Sequence, residues 1–251
     1  MIKNVFIIFL FLLSLVVQAR QVVKVGGYEF PPFVIVKNNI PTGMTLDIIE
    51  TINQAQSNYK FEFVLTTAKN RYRDFNSKKY DMIFFENIIW GWQEEPIQPS
   101  QVILNGGEVF IARVEKGRDQ SFFDSLKGKT IYGINGFHYK FANFVSNKGY
   151  LEKYFGMKLG NSHEENIMSV LKSDTESMAI VTESFLNLFL NKNPELRERI
   201  LQSKKFDQIY RHTILLRKDV SPSLNELNSL ITKMKSEGIL NQIWKKYGIE
   251  K

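Results

Sequence analysis

Two carboxylates stand where an acid is costly to place. Glu86 follows directly on Tyr80-Asp-Met-Ile-Phe-Phe85, and Glu183 follows Met178-Ala-Ile-Val-Thr182. Both runs are apolar enough to read as buried strands. A buried acid without a partner costs several kcal/mol or changes its protonation, so Glu86 reads as an acid facing a cleft. Glu183 has two equal readings, the same role or the start of a helix whose dipole favours a carboxylate. If both acids face one cleft they suit a cationic or amine ligand, and Phe30, Trp90, Trp92 and Phe137 could offer it aromatic faces. Trp90 and Trp92 read equally well as core or exposed residues, and Phe33 as core.

Other chemistry finds little support. Cysteine is absent, which excludes disulfides, thiol nucleophiles and a lipoprotein attachment site. His138, His163 and His212 are scattered without metal-ligand spacing, so no metal or cofactor is expected, and His138 reads as a helix-opening residue. Glu86 with His138 could in principle form an acid/base pair, but no spacing demonstrates it. The expectation is a protein that binds and does not catalyse.

The elements that carry these residues alternate in type, the pattern of an α/β fold with mainly parallel sheets. Val22–Val25 reads as a strand, 45–55 as a helix with Leu46, Ile49 and Ile52 on one face, 61–65 as a strand, 70–77 as a short helix and 80–85 as a buried strand. A second series starts after Ile111-Ala-Arg-Val114: a strand at 130–134, an aromatic helix at 138–145, a helix at 164–172, a strand at 178–182 and a helix at 183–190. His212–Arg217 reads as a strand. Ser223-Leu-Asn-Glu226 is a capping box opening a helix, Gly238 ends it, and 239–247 forms another.

The chain begins with Lys3, an apolar run from Val5 and Val17-Gln-Ala19, the marks of a cleaved secretory leader over Met1–Ala19. The apolar segment is shorter than the ~20 residues of a spanning helix. The 251-residue chain has a formal charge of +7, but its basic residues are spread out in short pairs such as Lys78-Lys79, which argues against a nucleic-acid partner. The length after the leader favours two lobes over one domain.

Lys24-Val-Gly, Phe30-Pro-Pro-Phe33, Gly43-Met-Thr-Leu-Asp47, Lys79-Tyr-Asp-Met-Ile83, Leu126-Lys-Gly-Lys129 and Lys235-Ser-Glu-Gly-Ile-Leu240 occur in one order. With them the chain resembles the family 3 extracellular solute-binding proteins, the polar amino-acid binders of ABC importers, over nearly all of its mature length. The resemblance implies a two-lobed periplasmic binding protein type 2 (Venus flytrap) fold with two crossing hinge strands, near 110–114 and 212–217. Lobe one would then be residues 20–111 and 214–251, and lobe two 112–213. It also implies a periplasmic monomer that captures a small-molecule ligand between its lobes and delivers it to an inner-membrane ABC permease, without chemistry.

On that resemblance the carboxylate anchors of an amino-acid binder are missing. Trp90 falls where the family has threonine, Gln93 where it has arginine, and Phe137, next to His138, where a Gly-Thr pair opens a helix. Ala68 replaces the second cleft aromatic. The resemblance assigns Tyr28 and Phe30, which flank Glu29, to the aromatic cleft position and Glu183 to the ammonium-binding acid. The ligand expected is therefore small and polar, cationic or amine-bearing, and not an ordinary free α-amino acid. Two alternatives stand beside this: an exported signalling or accessory binding protein that docks on a sensor, and, with less support, an enzyme like the cyclohexadienyl dehydratases.

Overall fold

The computed structural model describes residues 19–173 and 175–249. The leader expected over Met1–Ala19 therefore lies, but for Ala19, outside the described residues. The chain opens with strand β1 (Gln21–Gly27), a small hairpin of β2 (Ile35–Lys37) and β3 (Ile40–Thr42), helix α1 (Met44–Ala55), β4 (Tyr59–Leu65), α2 (Arg71–Asn76) and β5 (Met82–Glu86). After β6 (Ile97–Pro99) comes β7 (Leu104–Arg113), which leads into a second series of β8 (Thr130–Ile134), α3 (Lys148–Phe155), β9 (Met157–Gly160), α4 (His163–Lys172), β10 (Ser177–Thr182) and α5 (Glu183–Lys192). The chain returns along β11 (Ile200–Arg217) and closes with α6 (Leu224–Ser236) and α7 (Ile239–Lys246).

The strands form one curled sheet in the order β4-β1-β5-β11-β7-β10-β8-β9, with β6 also on β11. The β1–β4, β1–β5, β8–β9 and β8–β10 pairs are parallel, as βα repeats require. Two long antiparallel strands join the halves. β11 pairs with β5 and β6 at its C-terminal end, and with β7 from Ile200 to His212. β7 joins the second half by pairing Glu108–Ile111 with β10, so it enters that sheet before Phe110, earlier than the expected crossing at 110–114. The β11 crossing starts upstream of His212 as well, because β11 is 18 residues long.

Alternation places the core. On β10, Met178 and Ile180 face the core shared with the first lobe, while Ala179 and Val181 face α4 and α5 together with Val109 and Ile111 of β7. The Ser223–Glu226 capping box forms as its spacing predicts, with both hydrogen bonds present. The helix expected at 138–145 does not form. The segment makes only one tight turn at Lys140–Ala142, and Asn143 and Phe144 adopt φ of 52° and 59°. Its rings pack locally, Tyr139 stacked on Phe141 and Phe141 against Phe155 and Phe110, and His138 reaches Tyr72 across the cleft.

Candidate functional site

β1, β5 and β8 end at the same junction between the lobes, and the loops after them carry the aromatic residues. In open α/β sheets this edge is where ligands bind. Tyr28 and Phe30 follow β1, Trp90 follows β5, and Phe137 and His138 follow β8. Phe30 packs edge-on against Phe137 at 5.3 Å and Trp90 at 6.2 Å between ring centroids, and Tyr28 stands edge-on to Phe137 at 6.2 Å. Tyr210 and His212 of β11 close the cluster against Trp90 at 4.7 and 5.8 Å.

Glu86 is fully buried, and its partner is internal. Arg71, at the first position of α2, brings Nε within 3.5 Å of Glu86 Oε1, and the Trp92 indole donates to Oε2 at 2.8 Å. Burial pushes the Glu86 carboxyl up, while Arg71 and the Trp92 hydrogen bond pull it back. The Arg71 guanidinium lies over the Tyr72 and Tyr28 rings at 4.5 and 5.1 Å. It donates to Ala68 O in its own lobe and, at 3.1 Å, to Gly136 O in the other. Gly136 has φ +84°, a conformation that glycine adopts without strain.

Further bonds hold the lobes together. The Trp90 indole donates to Gln208 Oε1 at 3.1 Å, and Gln208 donates to His138 O. His138 Nδ1 faces Phe144 O at 2.6 Å and so carries the proton, leaving Nε2 bare and 2.9 Å from the Tyr72 hydroxyl, which donates to Trp90 O. Burial first, then Arg71, lower the His138 pKa to about 4, so the imidazole is neutral. Glu86 and His138 thus answer to different partners and form no acid/base pair.

What remains between the lobes is a cavity lined by Tyr28, Phe30, Arg71, Trp90, Glu108 and Phe137, with His138 and Gln208. It leaves about 10 Å³ for the centre of a water-sized sphere, room for about one water. Glu108 of β7 is its acid. Oε1 accepts from the Thr182 hydroxyl at 3.1 Å and from Tyr210 at 3.3 Å, while Oε2 is buried without a hydrogen-bond partner. Burial pushes the Glu108 carboxyl up to about 8, with Thr182 opposing and Asp207 adding to the rise.

The structure brings Tyr28, Phe30, Trp90, Phe137 and His138 to this cavity and places Glu86 behind Arg71. Gln93 does not reach it: its side chain is exposed on the turn after β5 and donates to Ile89 O at 3.4 Å. Glu183 is the first residue of α5, half-buried and outside the cavity lining, which favours its helix-start reading. Trp92 is core, packed on Tyr72 and Phe75. The residues that sequence reasoning missed are Arg71, Glu108 and Gln208. Arg71 had a signal, since a cation in the first turn of a helix opposes the dipole and needs another partner. Glu108 had a signal like that of Glu86, an acid adjoining an apolar run, here Val109-Phe-Ile-Ala112.

The sequence model for "Bacterial extracellular solute-binding proteins, family 3" matches residues 23–250. The chain belongs to this family. Among solved structures, a protein described as a binding component of an ABC transporter from Wolinella succinogenes DSM 1740, complexed with lysine, superposes with a TM-score of 0.71. It is 16% identical, over 92% of this chain and 97% of that one. A mutant ArgBP from T. maritima gives 0.67 at 19% identity, over 91% and 96% of the two chains. An ancestral amino acid-binding protein described as a precursor of cyclohexadienyl dehydratase gives 0.66 at 15%, over 90% and 95%. These likenesses establish the two-lobed fold. No match is found among curated proteins.

Proposed function

We propose that this family 3 protein is a periplasmic, monomeric binding component of an ABC importer that captures a small, amine-bearing polar solute between its lobes. The observation that carries this reading is Glu108: a buried carboxylate oxygen with no hydrogen-bond partner, in an interlobe cavity walled by Phe30, Trp90 and Phe137. An ammonium group would satisfy Oε2 and meet aromatic faces at once. The solutes named for two of the solved structures, lysine and an amino acid, are of the same class. Because the closed cavity has room for about one water, the solute enters when the lobes part, and its contacts with both lobes favour reclosure.

The test is isothermal titration calorimetry of the protein lacking its leader against lysine, arginine, neutral amino acids and diamines. At least one amine is expected to bind, and Glu108→Gln to weaken it tenfold or more. Absence of binding across the panel, or affinity indifferent to Glu108, would sink the reading. A second reading has its own observation, since the cleft is sealed by the chain's own side chains: a closed, solute-free form that docks on a sensor.

A further inference from the structure

Outside the sealed cavity, between the same two lobes, lies a second pocket of about 280 Å³. Phe137 lines both spaces. The outer pocket has an apolar side made by Ile35 of one lobe and Phe185, Leu188 and Phe189 of the other. Its rim carries both signs of charge, Lys37 and Lys192 against Glu29 and Glu164. None of these four has an ion-pair partner among the described residues.

One polar group in this pocket is unsatisfied. His163, the first residue of the ten-residue helix α4, is 4% exposed, lies stacked on Phe185 at 5.2 Å, and has no hydrogen-bond partner at Nδ1. Its Nε2 is 3.3 Å from the Thr182 hydroxyl, whose hydrogen goes to Glu108. Nε2 must then be the protonated nitrogen and Nδ1 a bare acceptor. Burial lowers the His163 pKa to about 3, which keeps the ring neutral. A hydrogen-bonded line, Glu108–Thr182–His163, thus joins the acid of the inner cavity to an open acceptor in the outer pocket.

We propose that the two spaces form one site divided by Phe137, and that its ligand is a short zwitterionic peptide and not a free amino acid. The inference rests on the amine-binding reading above. The terminal ammonium meets Glu108, a backbone N–H meets His163 Nδ1, a side chain lies on Phe185 and Phe189, and the terminal carboxylate reaches Lys37 and Lys192. A free amino acid carries both charges on one carbon, whereas a peptide separates them and so can place its ammonium in the inner cavity and its carboxylate at the outer rim. Phe137 rotates aside when the lobes part.

The experiment is calorimetric titration with Ala-Ala-Ala, Ala-Phe-Ala and Ala-Lys-Ala alongside free alanine, phenylalanine and lysine. Three variants accompany the parent protein: Glu108→Gln, His163→Ala, and Lys37→Glu combined with Lys192→Glu. The last pair is exposed and leaves the core untouched. At least one tripeptide is expected to bind tenfold or more tightly than every free amino acid. Both outer-pocket variants should weaken that tripeptide by fivefold or more. Free amino acids that bind through Glu108 as well as or better than the peptides would overturn the peptide assignment and leave the amine reading standing. Peptide binding indifferent to the outer-pocket variants would overturn it too, and absence of binding by either class would overturn both.

Discussion

Arg71 Nε lies 3.5 Å from Glu86 Oε1, with neither side chain more than 1% exposed. The guanidinium also holds Gly136 O of the opposite lobe, so one buried cation both neutralises an acid and bridges the cleft. Removing one member of a buried pair leaves an uncompensated charge and costs about 3–5 kcal/mol. Arg71→Met is expected to lose stability on that scale in urea denaturation. The double variant with Glu86→Gln should recover part of the loss, with a coupling of about 1–3 kcal/mol. Recovery absent from the double-mutant cycle would mean that Arg71 acts by packing on Tyr28 and Tyr72 and not through Glu86. Because the Gly136 bond is lost in either case, small-angle scattering should report a larger radius of gyration for Arg71→Met.

Glu108 sets a pH dependence of opposite kinds for folding and for binding. Its folded pKa is raised to about 8 by burial. As pH rises above the ordinary carboxylate range, the unfolded chain loses this proton while the folded chain keeps it. Stability therefore falls with a slope of up to about 1.4 kcal/mol per pH unit, until the folded group ionises near pH 8. Glu108→Gln should remove that slope, so the variant gains melting temperature on the parent at pH 7–8 more than at pH 5. Amine binding needs the carboxylate, so it should release about one proton at pH 7 and strengthen toward pH 8. Calorimetry in buffers of different ionisation enthalpy reads the proton count, and a count of zero would remove Glu108 from the ammonium site.

The contrast between Glu86 and Arg71 explains what the sequence made legible. Apolar strand runs, the capping box and six ordered motifs are local signals, and they led to the α/β repeats and the two-lobed family fold. Glu86 was visible as an acid ending an apolar strand, but its partner sits 15 residues earlier on another element. Only the fold sets the guanidinium against it. Counting residues after the Tyr80-Asp81 strand placed Gln93 at the site, whereas the turn after β5 directs Trp90 inward and leaves Gln93 in solvent. The aromatic run at 138–145 misled for a related reason, since Phe141 packs on Phe155 and Phe110, residues distant in sequence, and not along a helix.

The three histidines make the fold sensitive to acid. Burial holds His138 at about 4, and His163 and His212 at about 3. These folded values lie below the unfolded value near 6.5, so the stabilisation is complete above that pH and is lost as pH falls from there toward 3–4. Each residue adds up to about 1.4 kcal/mol per pH unit in that window. His138→Gln can still donate to Phe144 O and should reduce the steepness of acid unfolding between pH 6 and 4, followed by circular dichroism. An unchanged profile would assign acid unfolding to other groups.

Gln93 provides a negative control for the site. Its exposed side chain and single long contact to Ile89 O predict that Gln93→Ala changes stability by no more than about 0.5 kcal/mol. It should leave affinity for any ligand of the Glu108 site unchanged in calorimetry. A fivefold loss of affinity would return this residue to the cleft.

The crossing strands are tuned by a glycine. Gly106 of β7 lies opposite Tyr210 of β11, and a Cβ there would come 2.5 Å from the Tyr210 ring and 2.9 Å from His212 Nε2. Both rings are almost fully buried against Trp90 and cannot withdraw without disturbing the interlobe cluster. Overpacking of this kind costs about 1–3 kcal/mol. Gly106→Ala should therefore lower the melting temperature. It should also push Tyr210 and Trp90 toward the cavity, weakening ligand binding more than the stability loss alone accounts for. Tryptophan fluorescence reports the displacement directly, because Trp90 stands on Tyr210 at 4.7 Å. An unshifted emission spectrum together with parental affinity would show that the two strands relax away from each other, placing the give of the hinge in β7 and β11 themselves.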